Sequence, residues 1–211
     1  TMKEYLEVRK QYLPNHVERS FLQALPRTAR EHGFTGPFAQ MGFLWHRIKD
    51  HWLQVIARIM PLSGIRVKLQ RMRGVKIARD VHLGPLVTID DVYPYFVTIG
   101  RGTAISGDNF ILTHSKAMDY HSEVSESYVA PVTIGKHVWI AIGVDILPGV
   151  SIGEGSIIAS GSVVTKSIPP FVFAAGIPAE VKKDISQKLK KNYSETEFQR
   201  ILDQRKKEFG F

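Results

Sequence analysis

The sequence predicts an all-β solenoid: a stack of triangular coils built from short parallel strands, with helical segments at both ends. Two observations carry this. Large aliphatic residues recur every six positions, at Ile77, Leu83 and Ile89, then at Ile99, Ile105 and Ile111. They return at Ile134, Ile140, Ile146, Ile152, Ile158 and Val164, and these last six are in unbroken register. Four positions after most of them stands a small or β-branched residue: Val81, Val87, Thr103, Val138, Val144, Val150, Ser156 and Ser162. A helix would space apolar residues by three and four, and an ordinary strand alternates without so long a period. A fixed hexad fits a coil whose three sides are each one short strand, with the aliphatic pointing inward. Gly84, Gly100, Gly135, Ala141 and Gly153, each just after an aliphatic, suit tight corners. Twelve hexads at three per coil give four coils.

Two interruptions break the register. The first, Asp90-Asp91-Val92-Tyr93-Pro94-Tyr95-Phe96, requires a bulged corner. The second runs from Thr113 to Pro131 and opens with Thr113-His114-Ser115. Insertions in a solenoid leave from corners and often build the functional face. The expected organisation is a helical N-terminal segment over 1–70, the solenoid over 71–181 with its loop at 113–131, and a helical tail over 182–211. The tail reads as one basic amphipathic helix with Ile185, Leu189, Tyr193, Phe198 and Ile201 on its apolar side.

Before the solenoid, Met41, Leu44, Trp45, Ile48, Trp52, Val55, Ile56 and Ile59 mark one face of a helix that Pro61 and Gly64 end. This stripe is expected to pack on the rest of the protein or on another subunit. The alternative is peripheral contact of residues 41–60 with a membrane surface.

Composition narrows the chemistry. Without cysteine there is no disulfide, thiolate zinc site, iron–sulfur cluster or cysteine nucleophile. Residues 1–73 hold 13 basic and five acidic side chains, residues 74–181 six and ten, and residues 182–211 nine and five. The basic excess therefore lies in the two ends and the solenoid is mildly acidic, which argues against nucleic acid as a partner. No apolar run approaches ~18 residues, so a spanning helix is not expected. Thr1-Met2-Lys3-Glu4 opens no signal peptide, and a cytoplasmic location is expected.

The hexads and the run PVTIGKHVWIAIGVDILPGVSIGEGSIIASGSVVTKSIPPFVFAAGIPAEV from Pro131 to Val181, with ILTHS ending at Ser115, resemble the hexapeptide-repeat acyltransferases. The resemblance spans about residues 64–183 and is strongest to the galactoside and maltose O-acetyltransferase branch. It implies a left-handed parallel β-helix, although parallel crossovers are normally right-handed. It implies a homotrimer with active sites shared between chains, acetyl-CoA as cosubstrate, no metal, and transfer of the acetyl group to a carbohydrate hydroxyl.

A neutral alcohol is a poor nucleophile, so a base must take its proton as it attacks the thioester, and imidazole suits that task near neutrality. By its place in the family pattern His114 is that base. CoA is expected along Ala141, Ile142, Ser160, Thr165, Lys166 and Lys183. Ile142 stands where the sugar enzymes carry a serine, so only a backbone N–H could serve an oxyanion there. Glu180 stands where a family arginine is expected, and Lys183 replaces another. Asp91 matches an acceptor-binding aspartate, with Asp90 and Asp108-Asn109 in reserve; Asn109 is taken as a second acceptor contact. The alternatives are N-acylation of an amino sugar, a xenobiotic acetyltransferase, a γ-class carbonic anhydrase using His82, His114, His121 and His137, and a scaffold without activity.

Overall fold

The computed structural model of the protein describes residues 11–12, 25–27, 29–30, 33–116, 121 and 123–210. All twelve hexads form strands. The first coil is β2 (Lys76–Ile77), β3 (His82–Leu83) and β4 (Thr88–Ile89), and the second is β5 (Val97–Ile99), β6 (Ala104–Ile105) and β7 (Phe110–Ile111). The third is β10 (Val132–Ile134), β11 (Trp139–Ile140) and β12 (Asp145–Ile146), and the fourth β13 (Ser151–Ile152), β14 (Ile157–Ile158) and β15 (Val163–Val164). Stacking gives three flat sides of parallel strands: β2-β5-β10-β13, β3-β6-β11-β14 and β4-β7-β12-β15. The hexad aliphatics fill the prism as three columns and are almost wholly buried. Each such side chain stabilises the fold by roughly 1.5–3 kcal/mol relative to exposure.

The glycine that follows many of the aliphatics has a second cause besides the turn. A Cβ on Gly100 would stand 2.5 Å from the backbone carbon of Gly135 in the next coil, so the coils stack this closely only where no side chain intervenes. Buried polar corner residues are satisfied: Thr103 Oγ1 donates to Gly135 O at 2.7 Å and Ser156 Oγ to Pro169 O at 2.6 Å.

At the start of the chain β1 (Gln11–Tyr12) is a strand, not helix, and pairs antiparallel with β9 (Tyr128–Val129), which in turn pairs with β8 (His114–Ser115). The remaining reading of residues 1–32 as helical falls largely outside the described residues, as do 117–120 and 122 of the loop. Helices α1 (Ala39–Ile59) and α2 (Ser63–Met72) follow.

The apolar stripe of α1 does not pack on the rest of the protein, which corrects that half of the expectation. Met41, Trp45, Ile48, Trp52 and Ile59 are exposed, whereas Phe43, Asp50, Gln54 and Ala57 are buried against the protein. The prism's open end presents backbone carbonyls, and these select a polar helix face: Gln54 Nε2 donates to Val87 O at 3.2 Å.

Helix α2 closes that end. In later coils the carbonyls of Ile99, Ile105 and Ile111 accept from Ala78, Gly84 and Asp90 of the coil before. Their first-coil counterparts Ile77, Leu83 and Ile89 have no preceding coil. Three arginines replace it, one per side: Arg71 donates to Ile77 O at 3.1 Å, Arg66 to Leu83 O at 2.7 Å and Arg73 to Ile89 O at 3.1 Å. Ser63 Oγ accepts from Leu83 N at 2.9 Å. Arg73 also bonds Gln54, Gln70 Oε1 and Asp90 O. Burial lowers its pKa to about 10, against the raising influence of Asp50, Asp91 and Asp90.

The tail is not one helix. The second side is extended by β16 (Val172–Gly176), parallel to β14, and β17 (Ala179–Asp184), antiparallel to β16. Helices α3 (Ser186–Leu189) and α4 (Glu195–Phe209) follow, separated by a 3-10 turn at Lys190–Asn192. Ser194 caps α4 by accepting from Glu197 N at 3.3 Å, and Gly210 ends it in the left-handed conformation. Phe198 and Ile201 pack on Phe171, closing the second end of the prism with aromatic and aliphatic carbon.

Candidate active site

Both interruptions of the hexad register leave from one edge of the prism, between its third and first sides. That edge carries Asp90 at the end of the first coil and His114 where the second coil departs into its loop. Asp90 is 2% exposed, and four donors surround its carboxylate. Oδ1 accepts from Val92 N and Tyr93 N, both at 2.9 Å, because the bulged corner folds back over it as an Asx turn. Oδ2 accepts from Thr113 N at 2.8 Å and lies 2.6 Å from His114 Nδ1. The Tyr93 ring meets the imidazole edge-on at 5.5 Å between centroids.

These contacts fix the protonation logic. Burial pushes the Asp90 carboxyl up, but the hydrogen bonds from His114, Tyr93 N and Thr113 N outweigh it and hold the group well below the usual carboxylate range. An ionised carboxylate accepts only, so Nδ1 carries the proton and Nε2 is left with its lone pair. The hydrogen bond to Asp90 raises the His114 pKa; burial lowers it, the charges of Asp90 and Asp91 raise it, and Arg47 lowers it. The side chain of His114 is about one quarter exposed, so the ring is reachable from the prism edge. The pair can accept a proton at Nε2 and stabilise the resulting imidazolium.

Two arginines of the helical hairpin hold this corner from behind. Arg73 donates to Asp90 O at 2.8 Å. Arg47 of α1 bonds Asp91 O and lies 3.7 Å from Asp91 Oδ2, on the exposed lip beside the pair.

The other expected site residues divide by edge. Asp91, Thr165 and Lys166 are exposed on the His114 edge. Ala141, Ile142 and Ser160 lie on the next edge, across the third side. Ala141 N donates to Ile158 O at 3.0 Å and is thereby committed to the stack, whereas among the described residues no carbonyl accepts from Ile142 N. Lys183 is exposed on β17 opposite Phe173. Asn109 departs from expectation: it is fully buried, its Nδ2 donates to Ser106 O at 2.8 Å and its Oδ1 accepts from Val144 N at 2.6 Å. It closes a corner and does not face a groove. Asp90, held only in reserve beside Asp91, is the carboxylate that meets His114. The signal for it was positional, since it follows the inward Ile89 as Leu112 follows Ile111. His82 and His137 stand away from the His114 edge, and no group of three or more metal-ligating side chains forms among the described residues.

Comparison with known proteins agrees with this architecture. The profile described as "Bacterial transferase hexapeptide (six repeats)" matches residues 131–166. The chain is 43% identical over 122 residues to the galactoside O-acetyltransferase of Escherichia coli (strain K12), covering 57% of this chain and 59% of that enzyme. It is 34% identical over 140 residues to an E. coli K12 protein provisionally named as the lipopolysaccharide biosynthesis O-acetyl transferase WbbJ, covering 61% of this chain and 70% of that one. The chain belongs to the hexapeptide-repeat acetyltransferases. A solved galactoside acetyltransferase in complex with coenzyme A superposes with a TM-score of 0.54 at 27% identity, over 71% of this chain and 85% of that chain. The fold of this hexapeptide-repeat acetyltransferase is the left-handed parallel β-helix.

Proposed function

We propose that the protein transfers an acetyl group from acetyl-CoA to a hydroxyl of a carbohydrate acceptor, with His114 as general base. The observation that carries this is the 2.6 Å bond between His114 Nδ1 and the buried Asp90 carboxylate, which leaves Nε2 basic at an accessible edge. In the reaction the acceptor oxygen attacks the thioester carbonyl carbon while its proton passes to Nε2. The tetrahedral oxyanion then collapses, the carbon–sulfur bond breaks, and the CoA thiolate takes the proton back from the imidazolium. Such proton transfer contributes ~10²–10⁴-fold. Asp91 on the lip suits hydrogen bonding to sugar hydroxyls. Lys166 and Lys183 offer point charges to the phosphates of CoA.

The division of residues between edges supports a homotrimer. His114 and the Ala141–Ile142–Ser160 edge of one prism are separated by a whole side, roughly 15 Å of strand. One thioester carbon cannot meet both His114 and Ile142 N within a chain, but the edge of a neighbouring copy laid against the His114 edge completes a groove, with Ile142 N facing the oxyanion. A cytoplasmic reaction fits the use of acetyl-CoA as cosubstrate.

Calorimetric binding of acetyl-CoA to the wild type and to His114→Ala, with CoA release followed over a panel of sugars, tests this reading. The expected outcome is comparable binding by both and release by the wild type alone. Failure of the wild type to bind acetyl-CoA, or full turnover by His114→Ala, overturns it.

A further inference from the structure

We propose that the outward face of α1 docks on an anionic lipid bilayer, so that the acceptor is a carbohydrate carried by a membrane-anchored lipid. The second half rests on the acetyl-transfer reading above; the docking does not.

The face is large and unusual in its polarity. A helix covering a protein normally turns its apolar side inward, but α1 turns Asp50 and Gln54 inward and Trp45, Trp52 and Ile59 outward, the last three 71%, 59% and 71% exposed. Phe38 and Leu62 extend the stripe past both ends. The inward bond of Gln54 to Val87 O fixes the roll of the helix, so the apolar side cannot turn in. At 21 residues the stripe is ~30 Å long. No helix among the described residues is long and apolar enough to cross a membrane, so the fitting geometry is a helix lying in the interface plane.

Charge selects the occupant. Between Glu31 and Asp80 the sequence has nine Lys and Arg, of which Arg66, Arg71 and Arg73 bond backbone carbonyls and Arg47 bonds Asp91, and its one acidic residue, Asp50, is 3% exposed. Lys49 flanks the stripe, partly exposed and 3.3 Å from the buried Asp50, and Lys68 is exposed on α2. The spacing of Phe38, Met41, Trp45, Ile48, Trp52, Val55, Ile59 and Leu62 alternates three and four, which also suits a seam between two copies. A seam, however, carries opposite charges at its flanking positions, and here those positions hold Gly42, Leu44, Lys49, His51, Ile56 and Arg58 with no carboxylate. Two copies would set basic rims against each other. Anionic head groups complement the rim, and the indoles of Trp45 and Trp52 suit the boundary between head groups and acyl chains.

The placement has a catalytic meaning. Arg47, on the buried side of α1, reaches Asp91 beside the Asp90–His114 pair. A bilayer against α1 therefore lies next to the catalytic edge, and a sugar on a lipid anchor is presented to it from that surface.

The test uses the full chain with vesicles of phosphatidylcholine, with and without phosphatidylglycerol, and a variant carrying Trp45→Ser, Ile48→Ser and Trp52→Ser. These side chains face outward, so the fold is retained. Cosedimentation and the blue shift of tryptophan emission report docking, and sedimentation equilibrium reports assembly. Acetyl-CoA calorimetry reports the cosubstrate site. Turnover of one sugar is compared as a free glycoside and as a long-chain alkyl glycoside in vesicles. The expected result is salt-sensitive binding of the wild type to anionic vesicles, weakened by about a hundredfold or more in the variant. Mass and acetyl-CoA binding stay unchanged, and preference for the alkyl glycoside is lost in the variant. A wild type that ignores anionic vesicles overturns docking; if the variant then also has a lower mass, the face is an interface between copies. Vesicle binding without preference for the alkyl glycoside overturns the lipid-carried acceptor alone. Vesicle binding without acetyl-CoA binding overturns the acetyl-transfer reading and leaves docking standing.

Discussion

The two ends of the prism solve one problem with a different balance of polar and apolar chemistry. A stack of parallel coils must stop somewhere, and the last coil at each end exposes both apolar core and backbone groups that another coil would have met. At the first end the answer is polar. Arg66, Arg71 and Arg73 take over the carbonyls of Leu83, Ile77 and Ile89, and Gln54 and Gln70 bond to each other behind them at 2.8 Å. At the second end Phe171, Tyr193 and Phe198 form an aromatic plug, with ring centroids 5.2 Å and 5.5 Å apart around Phe171, and Arg205 beside it donates to Pro170 O at 3.2 Å. The difference teaches which end the chemistry depends on. Arg73 bonds the backbone of Asp90 itself, whereas among the described residues the aromatic plug bonds none of the catalytic corner.

The sharpest way to break this comparison is Arg73→Ala. It orphans the carbonyls of Ile89 and Asp90 and the amide oxygen of Gln70 in a buried setting, and we expect a loss of roughly 3–5 kcal/mol in stability, read by urea unfolding. The activity of the folded fraction falls with it, because Asp90 loses its anchor. Next is Asp90→Asn, expected to lower kcat by ~10²–10⁴-fold, since the amide no longer holds the base as the charged carboxylate does. The pH profile separates this from mere misfolding. The base must be neutral, so the acid limb of kcat/KM in the wild type lies above the ordinary histidine pKa of ~6.5 and moves down in Asp90→Asn. The same pair imposes two opposite linkages on stability. Having a raised folded pKa, His114 contributes most below its unfolded value and loses that contribution as pH rises through the folded one. Asp90, with a lowered pKa, contributes above its unfolded value and loses it as pH falls through the folded one.

Phe198→Ala should cost about 3 kcal/mol through a cavity in the aromatic plug while leaving kcat within a factor of a few. Equal loss of turnover and stability there would erase the distinction between the ends. The smallest expected effect is Arg47→Gln. Its partner Asp91 is exposed, so stability changes by less than ~1 kcal/mol, but the acid limb moves up, because Arg47 lowers the His114 pKa.

How far the sequence revealed this can be judged from particular residues. The hexad aliphatics specify the prism by themselves, since a six-residue period that keeps Ile134 to Val164 in register has one packing solution. His114 was reachable because it stands where the register breaks. Asp90 was overshadowed by Asp91: which of two adjacent carboxylates turns inward depends on the bulge formed by Val92 and Tyr93, a three-dimensional event without a sequence period. The basic excess of the first 73 residues is visible in the composition, but not its use: Arg66, Arg71 and Arg73 spend their charge on backbone carbonyls. That role depends on the first coil having nothing before it. Asn109 misled for a related reason, because asparagine at a corner serves the backbone of the next coil as readily as it serves a ligand. The stripe on α1 was legible as an amphipathic helix, but periodicity cannot say which face meets the protein.

The arginine cap also bears on how this molecule avoids growing. Every coil has the same register, so the end of one prism is a template on which another could seat as a further layer. Ser63 and the three guanidinium groups of α2 occupy the backbone positions of the first coil that such a layer would need. A repeat that has no internal reason to stop at four coils is thereby given an external one, and the chain remains a discrete particle instead of the first segment of a fibre.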